Sequence, residues 1–309
     1  MEKLIVFIPC YNAEKYISET IDSLIKQTFK DFKILVIDDG STDRSRDIVK
    51  QYAMQDHRIL LVENEINRGI VYTRNRGLKL CDCEYIALMD ADDIAPLYRL
   101  DEEVRYLEKH PEIDAVGGLY QLIDEDGNEL PTNLKPVLSD AAIRAKMLFF
   151  NPIVNGSMMF RRKVAVDNEI IYRESNRTLE DYRFWSEFLI YGKINNINKI
   201  LQYYRVSRTS ISRKTQREEL DKRNQDFDEI HELLFQIMKI RLSDKDKRLI
   251  KKATHDVGEL EGILERLRFF KALFVMQRQE NAGDSEFNRE LNKVCKEYRN
   301  KELINWLKD

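Results

Sequence analysis

The chain has 309 residues, 43% of them hydrophobic and 34% charged, with a formal net charge of −3 at pH 7. That length supports one large domain or two, and the near-balanced charge gives no electrostatic footprint for nucleic acid. No stretch approaches the roughly 20 consecutive apolar residues of a membrane-spanning helix, and Cys10, Cys81, Cys83 and Cys295 match no zinc spacing. The cysteines read as reduced thiols, and the opening run Leu4 to Ile8 is too short for the apolar region of a signal peptide, so a cytoplasmic protein is expected.

Leu4 to Ile8 reads as a buried strand broken by Pro9, followed by a helix over Ala13 to Gln27 with Tyr16, Ile17, Ile21, Leu24 and Ile25 on one face. Lys33 to Ile37 is a second strand, ending in Asp38 and Asp39. A helix over Asp43 to Met54, a strand over Ile59 to Val62, a helix over Ile70 to Leu80 and a strand over Tyr85 to Met89 complete the first hundred residues. Apolar strands alternating with amphipathic helices predict an α/β fold, a mostly parallel sheet covered on both faces. Ligands on such sheets bind beyond the C-terminal strand ends. Pro9 to Asn12, Asp38 to Asp43 and Asp90 to Asp93 should therefore converge on one cleft.

The run Asp90-Ala91-Asp92-Asp93 carries the most chemistry. Several carboxylates at one strand end are costly unless neutralised, and hard divalent cations favour oxygen ligands shared with a substrate's phosphates. Taken alone, the same run also reads as a loop and cap before the helix expected after Pro96. The Asp38 to Asp43 turn likewise reads as a cap, with Ser41 or Thr42 at the N-cap.

From Ala115 to about Ser212 the pattern is mixed, with strands at Ala115-Val116 and Gly156 to Phe160 and an aromatic helix over Glu180 to Tyr191. Beyond Arg213 prolines vanish and three apolar stripes appear. They are Phe227 to Ile237, then Leu249 through Val257 to Leu267, then Phe287 to Tyr298, predicting three helices in a C-terminal all-α module. The segment Glu265 to Gln277 mixes Arg266, Arg268 and Lys271 with leucines and phenylalanines. It reads either as a packing helix or as one lying on an anionic membrane surface.

In order and spacing, Pro9 to Asn12, Val36 to Asp43, Asn67-Arg-Gly69, Arg74 to Gly77, Leu88 to Asp93, Leu179 to Trp185 and Tyr204 to Ser212 resemble the family-2 glycosyltransferases of bacterial cell-surface polysaccharide type. The resemblance stops near Arg213. It implies a GT-A, Rossmann-like catalytic domain over 1–212, with a nucleotide-sugar half at about 1–95 and an acceptor half at about 96–212, followed by the helical module over 213–309. It implies a nucleotide-sugar donor, a UDP-sugar first of all, a glycan or lipid-linked glycan acceptor, and inversion at the anomeric carbon. Residue by residue, Asp39 resembles the uracil-side carboxylate, Pro9 and Tyr11 frame the nucleoside pocket with Arg74 as a further candidate, and Asp90 is the acid nearest the ribose or sugar. Asp92 resembles the ligand of a Mn²⁺ or Mg²⁺ ion on the diphosphate, and Asp181 the general base.

The chemistry makes matching demands: a cation to stabilise the departing diphosphate, and one carboxylate to accept the acceptor's proton. Two other readings stay open: a non-catalytic nucleotide-binding scaffold on the same fold, and a nucleotidyltransferase, which would want a glycine-rich phosphate loop where Pro9 to Asn12 stands. Arg205 and Arg208 either reach the diphosphate or lie on the surface. Asn151 to Ser157 either lines the acceptor cleft or simply leads a strand, and Trp185 reads as packing. The expected location is the cytoplasm, with peripheral contact at the inner membrane face, and the apolar tail stripes suit a homodimer.

Overall fold

The computed structural model describes residues 1–133, 135–206, 219–254, 260, 262–279 and 284–306. The chain divides into two compact units, one made of Met1–Leu138 and Ile153–Glu218, the other of Ser139–Pro152 and Glu219–Asp309. In chain order the elements are β1 (Glu2–Cys10), α1 (Ile17–Ile25), β2 (Lys33–Asp38), α2 (Ser45–Gln55), β3 (Ile59–Glu63), α3 (Ile70–Leu80), β4 (Cys83–Leu88), α4 (Arg99–Lys109) and β5 (Ala115–Ile123). Then come α5 (Asp140–Met147), β6 (Met159–Arg161), α6 (Arg162–Asp167), α7 (Glu180–Tyr191) and β7 (Ile194–Arg205). The last elements are α8 (Leu220–Ile237), α9 (Asp244–Thr254), α10 (Gly262–Arg278) and α11 (Ser285–Trp306).

The first unit is a seven-stranded sheet in the order β3-β2-β1-β4-β6-β5-β7. β1 runs parallel to both β2 and β4, and β2 to β3, as the continuous apolar runs predict. Leu4, Val6 and Ile8, with Ile34, Val36, Tyr85 and Ala87, form the core under α1, α2 and α4. The short β6 is antiparallel to both β4 and β5 and joins the two halves of the sheet. Because β1 lies between β2 and β4, the loops after these three strands share one edge.

The second unit gathers α5 and the four helices α8 to α11. The segment Ser139–Pro152, which the sequence assigns by position to the acceptor half, packs here: Phe149 stacks on Tyr298 with centroids 4.7 Å apart, and Lys146 pairs with Glu297. The stripe read as a single helix from Leu249 to Leu267 is broken, since α9 ends at Thr254 and α10 begins at Gly262 with φ +65°. Among the described residues no helix is long and apolar enough to cross a membrane, and all four cysteines are free and buried. Residues 207–218, with Arg208 and the end of the Tyr204 to Ser212 motif, lie outside the described residues, as does Val257 of the second tail stripe.

Candidate active site

At the first corner of the site, Cys10 and Asp38 face each other at the ends of β1 and β2. The two loops beyond them cap each other. The N–H groups of Asn12 and Ala13 donate to Ser41 Oγ (3.0 Å) and Ser45 Oγ (2.7 Å), Glu14 N–H donates to Asp43 Oδ2 (3.0 Å), and Thr42 N–H donates to Asn12 Oδ1 (2.9 Å). The polar residues of the Asp38 to Asp43 turn thus satisfy donors ahead of α1 as well as near their own helix.

Asp39 is buried at the centre of this corner. Its Oδ1 accepts from Asn64 Nδ2 (2.6 Å) and Arg68 N–H (2.9 Å), and its Oδ2 from Gly69 N–H (2.9 Å). A carboxylate offers about four acceptor positions, so Oδ2 retains capacity for one further donor. Gly40 has φ +69°, and a Cβ there would lie 2.5 Å from Ile66 C and 2.6 Å from Asn67 N. Only glycine lets the two turns close around Asp39. Half-buried Pro9 and the 44%-exposed Tyr11 lie on the β1 side of the same corner.

The second corner is the acidic loop after β4, and its carboxylates have different surroundings. Asp93 is buried and structural, accepting from Arg205 N–H (2.8 Å) and from Gln202 Nε2. Arg205 is also buried, and its Nε donates to the Asp92 carbonyl at 2.7 Å while its guanidinium lies 4.6 Å from the Tyr16 ring centroid. It is therefore neither a surface group nor a free arm; it holds the acidic loop in place. The Thr20 hydroxyl sits between the carbonyls of Ala91 (3.0 Å) and Asp93 (2.8 Å) and anchors the loop to α1. With its backbone so fixed, Asp92 keeps a carboxylate that Arg205 offsets only in part: burial and the Asp90 charge push it up to about 6. Among the described residues no cationic side chain forms an ion pair with it.

The third corner brings α3 and α7 to Asp90. Arg74, only 7% exposed, pairs with Glu180 Oε1 at 2.7 Å and approaches Asp90 Oδ1 at 3.4 Å. Burial raises Glu180 to about 7, with Arg74 opposing the rise. Arg74 also lies 5.3 Å from the Tyr172 ring centroid, and that ring stacks on Phe184 of α7 at 4.4 Å. The Tyr172 hydroxyl is buried and has no hydrogen-bond partner among the described residues. The charges of Asp90 and Asp181 both act on Arg74, Tyr172 and Tyr204, and burial with these acids drives both tyrosine hydroxyls upward. Half-buried Asp181, in the first turn of α7, accepts from Tyr182 N–H at 2.6 Å.

The loop before β6 closes on the same place. A Cβ on Gly156 would lie 2.9 Å from Asp90 Oδ2 and 2.7 Å from Gln202 Nε2. The neighbouring Asn155 accepts from Trp185 Nε1 at 3.0 Å, and Trp185 itself is fully buried against Phe160, Phe184 and Phe188, a packing residue as its pattern suggests.

Asp90 and Asp181 thus gather around Arg74, Tyr172 and Tyr204, with Asp92 beside Asp90 and Tyr204, while Pro9, Tyr11 and Asp39 occupy the neighbouring corner. Arg74 falls with the acids, pairing with Glu180 and approaching Asp90. Glu180, Tyr172, Tyr204 and Asn64 had no assigned role in the sequence; the signals were Glu180 standing next to Asp181 and Tyr204 opening the last of the resembling segments. Among the described residues no three His, Cys, Asp or Glu side chains form a ready-made metal cage. The donor set nonetheless suits a hard cation that brings its own phosphate ligands, because Asp92 supplies an oxygen whose charge is only partly offset.

A mostly parallel sheet with acids along its C-terminal edge, continued by a second half through an antiparallel strand, is a GT-A fold. The Glycosyl transferase family 2 model matches residues 5–168, more than half of the chain. This chain belongs to glycosyl transferase family 2. An uncharacterized glycosyltransferase of Haemophilus influenzae is 37% identical over 209 residues, which span 65% of this chain and 64% of that relative. Among solved structures, Staphylococcus aureus TarS (residues 1–349) in complex with UDP-GlcNAc superposes with a TM-score of 0.64 at 20% identity, covering 97% of this chain and 92% of that one. The mannosyltransferase PcManGT of Pyrobaculum calidifontis, in complex with GDP-Man and Mn²⁺, has a TM-score of 0.56 at 15% identity and covers 96% of this chain and 87% of that one.

Proposed function

We propose that the protein is an inverting, metal-assisted glycosyltransferase that moves a sugar from a UDP-sugar to an acceptor hydroxyl of a cell-surface glycan or lipid-linked glycan. The observation that carries this reading is the grouping of Asp90 and Asp181 around buried Arg74, with Asp92 beside Asp90 and its charge offset only in part by Arg205. Asp39 Oδ2 retains an acceptor position suited to the N–H of uracil, with Pro9 and Tyr11 framing the nucleoside. Asp90, adjusted by Arg74, faces the ribose or sugar. Asp92 would hold Mn²⁺ or Mg²⁺ on the diphosphate, and the cation when bound would stabilise the negative charge of the leaving nucleoside diphosphate.

Asp181 accepts the proton of the acceptor hydroxyl as its oxygen attacks the anomeric carbon. Single displacement needs no covalent nucleophile, and inversion follows from attack on the face opposite the leaving group. Arg74 keeps Glu180 and Asp90 from crowding a third negative charge next to Asp181. The relatives' own names and ligands support the class of reaction, with UDP-GlcNAc bound in TarS and Mn²⁺ in PcManGT. The helical module over 213–309 is read as an accessory to this reaction.

Calorimetric titration with UDP, using GDP as control, with Mn²⁺ and then with EDTA, tests the reading. UDP binding that requires the metal and is lost in Asp92→Ala is the expected result. Tight GDP binding would change the donor, and no metal-dependent nucleotide binding at all would overturn the proposal.

A further inference from the structure

Helix α10 is apolar on two faces, and only one of them is used inside the second unit. Phe269, Ala272, Leu273 and Met276 are buried there. On another face Leu264, Leu267, Lys271, Phe274 and Arg278 recur every three or four residues and are exposed, with Leu264 81%, Leu267 50% and Phe274 48% accessible. A core helix needs one apolar stripe. A second, solvent-facing stripe of large apolar side chains interleaved with cations asks for a partner that is apolar beneath and anionic above.

The neighbouring helix completes the surface. Lys245, Arg248 and Lys252 of α9 fall on one face and border a groove of about 830 Å³ whose other wall includes Leu264, Leu267, Arg268 and Lys271. The two acids in the groove are engaged: Asp246 pairs with Arg268 at 2.8 Å and Glu265 with Lys252 at 2.9 Å. Five cations against two acids leave the groove at +3, although the whole chain carries −3. Positive charge is therefore concentrated where the exposed leucines are. The Arg278 guanidinium lies 4.3 Å from the Phe274 ring centroid, so the end of the stripe has the same mixed character.

We propose that this α9–α10 face is a docking surface for an anionic lipid bilayer. Leu264, Leu267 and Phe274 enter the boundary between headgroups and acyl chains, and Lys245, Arg248 and Lys271 meet lipid phosphates. The cations and the leucines belong to one partner: an acidic polymer would use the charges and leave Leu264 in water, and a second apolar protein face would leave the charges unanswered. The long lysine and arginine stems let the charged heads stay at headgroup level while the apolar side chains go deeper.

The test is flotation of the full chain with phosphatidylcholine vesicles, with and without phosphatidylglycerol. We expect binding only to the phosphatidylglycerol vesicles, weakening as salt is added, since surface charge is screened within about 10 Å at 0.1 M ionic strength. Lys245→Glu with Arg248→Glu should lower binding at least about tenfold, each cation near an anionic surface contributing roughly fivefold. Leu264→Ser with Phe274→Ser should lower it comparably with the charges intact. All four positions are exposed, so the variants should keep the wild-type far-UV circular dichroism and bind UDP as the wild type does, which separates failure here from failure of the proposed reaction. Absence of flotation, equal binding to both vesicle types, or binding indifferent to salt and to both variants would overturn the proposal. A concentration-dependent dimer that Leu264→Ser dissociates, with no vesicle binding, would assign the face to a second copy and overturn it equally.

Discussion

Replacing Arg74 with glutamine tests whether the arginine is the electrostatic centre of the site. Arg74 pairs with Glu180 at 2.7 Å, and both side chains are largely buried. Burial raises Glu180 from the ordinary 4.5 to about 7 even with the arginine in place. A carboxyl raised in the fold favours folding most below its unfolded value, and that advantage is lost as pH rises through its folded value. In the wild type this group's pH-dependent loss therefore runs from about 4.5 to about 7 and then levels off. Without Arg74, Glu180 stays protonated at higher pH, and the loss continues at about 1.4 kcal/mol per pH unit. The Glu180-linked penalty of Arg74→Gln should be close to zero at pH 5, about 1 kcal/mol at pH 8 and roughly 2–3 kcal/mol at pH 9. A pH-independent part of about 1 kcal/mol is added by loss of the contact with the Tyr172 ring. Urea unfolding of wild type and variant across this range gives the difference directly. Adding Glu180→Gln should flatten its pH dependence. A penalty equal at pH 5 and pH 9, or one that Glu180→Gln leaves sloping, would refute the reasoning.

Three other outcomes are expected. Asp181→Asn should lower kcat by roughly 10²–10⁴, the usual worth of a general base, with donor KM little changed; near-normal turnover would remove Asp181 from that role. Cation affinity in the presence of a UDP-sugar should be about tenfold weaker at pH 5 than at pH 7, because Asp92, raised to about 6, must give up its proton to coordinate; calorimetry in buffers of different ionisation heat reads that proton, and a pH-independent affinity would count against Asp92 as ligand. Gly40→Ala should cost about 1–3 kcal/mol and weaken nucleotide binding, since the left-handed φ of +69° is strained for alanine and its Cβ would meet Ile66 and Asn67 backbone at 2.5–2.6 Å; unchanged thermal unfolding would show that the two turns can separate without cost.

The first four strands and the three helices between them were legible in the sequence because each strand is a short unbroken apolar run and each helix a 3.6-residue stripe, signals set by burial alone. β5 and β7 were harder. β5 continues from Ala115 to Ile123 through Gly117 and Gly118, which carry no strand propensity; they are there because Met158 and Leu201 lie where a side chain would otherwise project. β7, with the sequence INNINKILQYYR, has polar residues at positions that hold neighbouring loops, such as Asn196 donating to the Val137 carbonyl at 2.7 Å. Those partners are distant in the chain and leave no periodic trace. The break between α9 and α10 did have a local signal, Gly262, which the continuous apolar spacing on either side outweighed.

Within the site the same distinction separates residue type from residue partner. Asp181, in the first turn of a helix, is singled out by the family resemblance alone, whereas Asp39, Asp90 and Asp92 were recognisable because charge at a strand end is costly wherever it occurs. Their surroundings were not, because each is set by a residue far away: Arg74 reaches Glu180 across 106 positions, and Arg205 fixes Asp92 and Asp93 across more than 110. Of the three acids in the Asp90 to Asp93 run, Asp90 is approached by Arg74 and Asp93 accepts from the Arg205 N–H and from Gln202, whereas the Asp92 carboxylate has neither kind of partner from another residue among the described residues. The two arginines hold the acids in place, Arg74 through Glu180 and Asp90 and Arg205 through the Asp92 carbonyl and the Asp93 carboxylate. A substitution that removes Arg74 or Arg205 should therefore alter donor affinity by moving carboxylates, and adding positive charge elsewhere in the cleft should not restore it.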